Sequence, residues 1–137
     1  MRRVQQKHSM GCSIACIAML SNLSYKDILK LTNPNRWPWQ SITPPNYDTI
    51  RNILIQLGVD PGEWTWQPIL CSAINVPAIV CIKYSPTKIH AAVWNPETQI
   101  MLDPFYEPDY FETAYYEKLS VGYLPIFGYK PLTQSTK

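Results

Sequence analysis

A cysteine near the start of the chain stands where it could act as a nucleophile. Cys12 follows Gly11 and opens the apolar run "CSIACIAML" (12–20), which predicts a buried helix beginning at that cysteine. A thiol attacks well only as the thiolate, which the unpaired N–H groups of a first helical turn favour. Cys16 lies one turn deeper among apolar neighbours, so Cys12 is the predicted nucleophile. The alternative is a cysteine that only packs in the core.

A thiolate nucleophile needs a base, and the chain contains two histidines. His90 follows the segment "SPTK" and opens the predicted strand "HAAVWN" (90–95), so we expect its ring at the rim of the sheet. There the imidazole could take the proton of Cys12 and later return it to a leaving amine. His8 is closer to Cys12 in sequence, but we expect it to face solvent or line the groove. His90 is therefore the predicted base.

Two further polar side chains would complete a catalytic constellation. Asp103 ends the segment "QIMLD" (99–103), which is predicted to form a hairpin with the histidine strand, so its carboxylate should lie near the imidazole and fix its tautomer. An aspartate before a proline is also a common turn signal, which is the structural alternative. Gln6 lies six residues before Cys12. Its side-chain amide and the Cys12 backbone N–H could both donate to an oxyanion.

The elements that must hold these residues are helices first and strands second. The apolar patterns predict helices over 12–22, 24–31 and 50–57, a short helix near 69–74, and strands over 77–84, 90–95, 99–103 and within 121–132. Residues 32–46 contain four prolines and are predicted to be irregular, and the aromatic segment 104–118 is predicted to be irregular or weakly helical. This order predicts an α+β fold with an antiparallel sheet.

The composition limits the classes of function. At 137 residues and 46% hydrophobic content, we expect one globular domain over 1–137 with a flexible tail at 132–137. The net charge of +2, without a basic stripe, argues against nucleic acid or an anionic membrane as the partner. No secretory signal or stretch of ~20 apolar residues is seen, which predicts a cytoplasmic protein with reduced cysteines. The Cys12–Cys16 pair has no second ligand pair, so no metal site is predicted.

In order and spacing, the chemical residues resemble the papain-like cysteine peptidases, and most of all the peptidase family C39 and its C39-like relatives. The matching elements are Gln6, Cys12, "VPAIV" (76–80), His90 and Asp103–Pro104. The resemblance covers about residues 4–105 and implies a papain-like fold with the cysteine helix packed across an antiparallel sheet. It departs at one position, since the family usually has glycine directly after the cysteine, where this chain has Ser13.

The resemblance implies a cysteine hydrolase that cleaves a peptide or isopeptide bond in a polypeptide without a cofactor. The transporter-associated members carry membrane and ATPase segments that have no counterpart in these 137 residues, so their leader-peptide substrate is not implied. An acyltransferase or transglutaminase-like enzyme, and an inactive peptidase-like binding module, are the alternatives. Ser13, Trp37 and Trp39 are candidate substrate-groove residues, although loop tryptophans more commonly pack. The oligomeric state and the biological process are left open.

Overall fold

The structure, a computed structural model, describes residues 1–34, 42–105 and 112–129. Within these ranges the chain is mixed α and β, which confirms the predicted fold class at that level. The helices are α1 (Cys12–Ser21), α2 (Tyr25–Thr32), α3 (Tyr47–Gln56) and α4 (Thr113–Leu119), with a 3₁₀ turn at Cys71–Ala73. The strands are β1 (Ala78–Ser85), β2 (Lys88–Asn95), β3 (Ile100–Leu102) and β4 (Ser120–Pro125). They form one antiparallel sheet in the order β3-β2-β1-β4.

Helix α1 is the central helix that the apolar run predicts. It begins at Cys12, as expected, and every residue from Ile14 to Leu20 is buried. A helix that is apolar on all sides needs neighbours on all sides, and α1 packs against α2, α3 and β2. It ends one residue earlier than predicted, because Asn22 adopts the left-handed conformation (φ 61°) and caps it. The half-buried Cys12 therefore opens a well-anchored helix.

The other helices begin where side-chain caps allow. Ser24 and Asp27 form the predicted capping box of α2, with Asp27 N donating to Ser24 Oγ at 3.0 Å. At α3 a single side-chain cap is present, since Asn46 Oδ1 accepts from Thr49 N at 2.8 Å, and that helix begins three residues before its first buried apolar residue. Gly58, at φ +83°, follows its end as predicted. The helix predicted over 69–74 is only a single 3₁₀ turn.

The sheet separates two apolar clusters. One side packs against α1, shares an apolar cluster with residues of α2 and α3, and includes Ile79, Ala91, Val93 and Leu124. The opposite side packs against α4 and the 3₁₀ turn and includes Ala78, Val80, Ile82, Ala92, Trp94 and Met101. Side chains alternate between the faces of a strand, so burial on both faces explains why β1 reads as a continuous apolar run.

Three strand and segment predictions need correction or completion. Strand β2 begins at Lys88 rather than at His90, because β1 and β2 pair as a hairpin whose last partners are Ser85 and Lys88. His90 therefore lies inside β2, opposite Ile82, and not at the start of a strand. Part of the aromatic segment 104–118 is the helix α4. In the predicted strand region, 120–125 form β4, while the tail predicted at 132–137 lies outside the described residues.

Candidate active site

The structure brings Cys12, His90 and Asp103 into one hydrogen-bonded series. Asp103 directly follows β3, and its Oδ1 lies 2.6 Å from Nε2 of His90, with both side chains almost fully buried. The Cys12 thiol at the start of α1 hydrogen-bonds the same imidazole. Because Nε2 faces the carboxylate, Nδ1 is the ring nitrogen that remains for the thiol. The expected proximity of these three residues is confirmed.

The surroundings of Cys12 favour the thiolate. Burial by itself raises the pKa of this thiol, but its hydrogen bond to His90 and the charge of that ring lower it, so the pKa lies below the ordinary value. The backbone N–H of Ala91 and the side chain of Ser13 also hydrogen-bond the sulfur and lower the pKa further. Gly11 provides no side-chain cap to the first turn of α1, which leaves that turn's N–H groups for a negative charge.

The imidazole and the carboxylate support each other as an ion pair. Burial by itself lowers the pKa of His90, but its hydrogen bonds to Asp103 and Cys12 raise it to about 9. Burial likewise raises the pKa of Asp103, but hydrogen bonds from His90, Tyr116 and the Phe105 N–H lower it below its ordinary value. The three pKa shifts therefore all favour a carboxylate, an imidazolium and a thiolate in a row, which is the charged state that nucleophilic catalysis by cysteine requires.

Three partners of this series were missed at the sequence level. Oδ2 of Asp103 accepts from the hydroxyl of Tyr116 at 2.7 Å, and Oδ1 accepts from the backbone N–H of Phe105 at 3.0 Å. The Arg3 guanidinium donates to the backbone carbonyls of Asp103, at 2.6 Å, and of Phe105. The position of Phe105 could have been predicted from the strand register. Because Val93 pairs with Leu102, continuing the same pairing along the two strands puts Phe105 opposite His90. Tyr116 and Arg3 carry no local signal.

Phe105 covers one face of the imidazole. Its ring stacks on that of His90 with centroids 3.9 Å apart and planes inclined by 14°. Tyr84 meets both rings edge-on, at 6.5 Å from His90 and 6.4 Å from Phe105. An aromatic face against a cationic ring is electrostatically favourable and keeps water away from the His90–Asp103 hydrogen bond. The segment after β3 thus shields the base as well as supplying its carboxylate partner.

Gln6 lies beside the site, but its amide is engaged elsewhere. The side chain is 1% exposed, and Nε2 donates to the carbonyls of His8 at 2.8 Å and Ser9 at 3.3 Å. Its Oε1 is buried and has no hydrogen-bond partner among the described residues. Donation to an oxyanion would require the amide to exchange the longer bond, to Ser9, for the substrate. The role of Gln6 as an oxyanion donor therefore stays a prediction, with this rearrangement as its condition.

Two pockets open on either side of the Cys12–His90 pair. One, of about 200 Å³, lies between α1, α3 and the sheet, and is lined by Ser13, Ile50, Cys81 and Trp64 among others. The second, of about 370 Å³, is lined by Gln6, Ser9, Met10, Tyr84, Lys88 and Phe105. Both pockets share Cys12, Ile89 and His90 as a common wall. Ser13 thus lies where the sequence places it, whereas Trp37 and Trp39 lie outside the described residues.

The other cysteines are poor candidates for the same chemistry. Cys16, Cys71 and Cys81 are buried, and burial raises the pKa of each thiol, to about 12 for Cys71 and Cys81. Within residues 1–34, 42–105 and 112–129, no cluster of three or more His, Cys, Asp or Glu side chains could hold a metal ion. In the same ranges, no helix has the length and apolar character needed to cross a bilayer.

The fold and the site together define an α+β protein with a Cys–His–Asp series, in which His90 and Asp103 are buried and the half-buried Cys12 lies between two open pockets. No protein-family model matches the chain, and no curated protein matches it significantly. Any statement about its function therefore depends on the geometry and electrostatics described above.

Replacing Gly11 with alanine should disturb the start of α1 and with it the position of Cys12. An added Cβ would lie 2.0 Å from Oη of Tyr25, a side chain that is 4% exposed and cannot move aside cheaply. We expect a loss of about 1–3 kcal/mol in the free energy of unfolding, the usual range for overpacking. Urea unfolding would measure it. Adding Tyr25→Phe removes the clashing atom, so the double variant should recover part of the loss; additive losses would contradict this account.

Proposed function

We propose that this chain is a papain-like cysteine hydrolase with a C39-like arrangement, which cleaves a peptide or isopeptide bond in a polypeptide through an acyl-enzyme. One observation carries the proposal: Cys12, His90 and Asp103 are hydrogen-bonded in series, and Cys12 and His90 form part of the wall shared by two open pockets. Such a wall is where a bond can be cut, because the groups on either side of a scissile carbonyl each need room. The central cysteine helix and the antiparallel sheet support the papain-like part of the proposal.

The reaction begins with attack of the Cys12 thiolate on the substrate carbonyl carbon. The oxyanion forms near the backbone N–H of Cys12. The side-chain amide of Gln6 can also donate to the oxyanion once it has turned away from the Ser9 carbonyl. The imidazolium of His90 then gives its proton to the departing amine, and a thioester remains on the sulfur. Neutral His90 next takes a proton from water as that water attacks the thioester. The bond between carbon and sulfur then breaks and the carboxylic acid product leaves. This step restores the Cys12 thiolate beside the protonated His90.

The residue after Cys12 differs from the one that is usual in the C39 family. Where the family usually has glycine, this chain has Ser13, whose side chain hydrogen-bonds the Cys12 sulfur and whose surface lines the smaller pocket. Its hydroxyl is thus available both to the thiolate before attack and to the substrate afterwards.

A degradomic comparison tests the proposed activity. Purified protein is incubated with a complex peptide mixture at pH 7, and new termini are identified by mass spectrometry. We expect cleavage by the wild type and by Cys71→Ala, which removes a buried thiol remote from the site, and none by Cys12→Ala. Adding hydroxylamine separates hydrolysis from acyl transfer, because a transferase would convert most product into the hydroxamate.

Two results would count against the hydrolase. Cleavage by Cys12→Ala at the wild-type rate would remove this cysteine from the mechanism. Absence of both cleavage and hydroxamate, with Cys12 no more reactive toward alkylation than Cys71, would leave the inactive binding module as the better description.

A further inference from the structure

We propose that Tyr116 is a positioning residue of the active site, whose hydroxyl holds the Asp103 carboxylate in line with the His90 imidazole. This inference rests on the proposed function, since it concerns the same Cys–His–Asp series. Its geometric basis is the 2.7 Å hydrogen bond from the Tyr116 hydroxyl to Oδ2 of Asp103, in a place where the two side chains are 1% and 6% exposed.

The orientation of a carboxylate has to be fixed at both oxygens. Oδ1 of Asp103 accepts from His90 and from the backbone N–H of Phe105, while Oδ2 accepts from Tyr116. Rotation about the Cβ–Cγ bond would carry Oδ1 out of line with Nε2 of His90. The Tyr116 hydroxyl opposes this rotation because turning the group would break its own bond. In so buried a place, water cannot readily replace a lost donor.

The ring of Tyr116 is located by packing and not by its hydroxyl. It belongs to the apolar cluster on the α4 side of the sheet, with Ile69, Trp94 and Met101. Helix α4 is also held by Glu117, whose Oε2 accepts from the backbone N–H of Cys71 at 2.7 Å. A phenylalanine in place of Tyr116 would therefore keep the ring and the helix where they are. The contribution of the hydroxyl can thus be measured separately.

The hydroxyl of Tyr116 also stays protonated, as a donor to Asp103 must. Burial and the neighbouring Asp103 both raise the pKa of Tyr116 above that of an ordinary phenol. The hydroxyl consequently donates to the carboxylate over the whole working pH range and never becomes a second anion beside it. Its donation helps to keep Asp103 ionised, which in turn favours the charged form of His90 and the Cys12 thiolate.

The test is the pH dependence of iodoacetamide alkylation at Cys12, followed by peptide mass spectrometry. In Tyr116→Phe we expect the midpoint of Cys12 reactivity to move upward by about one pH unit, and peptide hydrolysis to fall by about tenfold, as for loss of a hydrogen bond to a charged group. In an Asp103→Asn background, the same substitution should cause no further shift of the midpoint, because the group that it positions has already been changed.

Two control variants separate positioning from a structural effect. Tyr123→Phe removes a hydroxyl from β4, beside the same apolar cluster but away from Asp103. Glu117→Gln weakens the attachment of α4 without touching the carboxylate of Asp103. Both controls should keep the wild-type midpoint, even where thermal stability falls. An equal shift in Glu117→Gln and Tyr116→Phe would assign the effect to the packing of α4 and overturn the inference.

The remaining outcomes distinguish the inference from the proposed function. A wild-type midpoint well below that of an ordinary thiol, unchanged in Tyr116→Phe, refutes the role of Tyr116 and leaves the hydrolase proposal intact. A wild-type Cys12 that titrates like a free thiol refutes the charged series itself, and both proposals fall.

Discussion

Replacing His90 with alanine should reduce the alkylation rate of Cys12 at pH 6 by about 10- to 1000-fold, because loss of a nearby opposite charge typically moves a pKa by about one to three pH units. With His90 present, its hydrogen bond and charge hold the pKa of the thiol below the ordinary value despite burial. Without His90 the effect of burial prevails, and even a freely exposed thiol is ionised only to about one part in 300 at pH 6. Iodoacetamide labelling with peptide mass spectrometry measures the rate at each of the four cysteines separately.

The second histidine provides the matched control. His8 hydrogen-bonds Tyr25 through Nδ1 at 2.9 Å and lies on the segment leading to α1. If His90 is the base, His8→Ala should label at Cys12 almost as fast as the wild type. A large loss in His8→Ala and a small loss in His90→Ala would exchange the roles of the two histidines and would rule out the mechanism given above.

Two pH profiles of the wild type should differ at the alkaline end, because the pKa of His90 is raised to about 9. Alkylation needs only the thiolate, so its rate should rise with pH and then stay high. Hydrolysis also needs the imidazolium to protonate the leaving amine, so its rate should fall as the pH passes about 9. The alkylation profile thus reports on the Cys12 thiolate alone, whereas the hydrolysis profile also reports on His90 as the acid. Hydrolysis that stays constant through pH 10 would contradict the role of His90 as the acid.

Replacing Asp103 with alanine should cause the largest loss of stability of any single change at the site. It would leave the His90 imidazolium, the Tyr116 hydroxyl and the Phe105 N–H without their common acceptor in a buried place. Removal of one partner of a buried ion pair typically costs about 3–5 kcal/mol, because the other charge remains uncompensated. Urea unfolding at pH 7 would measure the difference. Asp103→Asn keeps the shape and one acceptor oxygen, so it should lose distinctly less.

The loss of stability in Asp103→Ala should depend on pH, in a direction that the pKa shifts of Asp103 and His90 determine. The pKa of Asp103 is lowered on folding, so its contribution is present above the ordinary value of 3.8 and is lost as the pH falls through the lower folded value. The pKa of His90 is raised, so its contribution is complete below the ordinary value of 6.5 and is lost as the pH rises through about 9. The difference from the wild type should therefore be greatest between about pH 4 and 6.5 and smaller at both extremes. A difference independent of pH would indicate lost packing instead.

The geometry of the central pair was accessible from sequence because a hairpin is a local structure. The segments 90–95 and 99–103 are separated by a short turn, so their register is nearly fixed, and the expectation that Asp103 lies near His90 is confirmed at 2.6 Å. The position of Cys12 at the first residue of α1 is confirmed for a similar reason, since the apolar run begins there. The predicted start of β2 is wrong by two residues, because pairing with β1 extends the strand to Lys88, beyond the apolar pattern that begins at His90.

The orientation of Gln6 shows where a spacing argument stops. Its distance from Cys12 in sequence predicts a place beside the thiol, and Gln6 does line the larger pocket. The direction of its amide, however, is decided by which carbonyls the turn at 7–10 presents, and these are the carbonyls of His8 and Ser9. A turn carries no periodic pattern from which such a choice could be read.

Sequence patterns alone predict the order of helices and strands, the buried character of α1, the capping box of α2 and the proximity of Asp103 to His90. Each depends on patterns within a few residues, where propensity, capping and hairpin register act directly. The support of Asp103 by Tyr116 and Arg3 depends on long-range packing, and Arg3 acts across 100 residues of sequence. One tyrosine among nine and one arginine of the N-terminal pair look like any others in sequence, and packing of distant elements selects them.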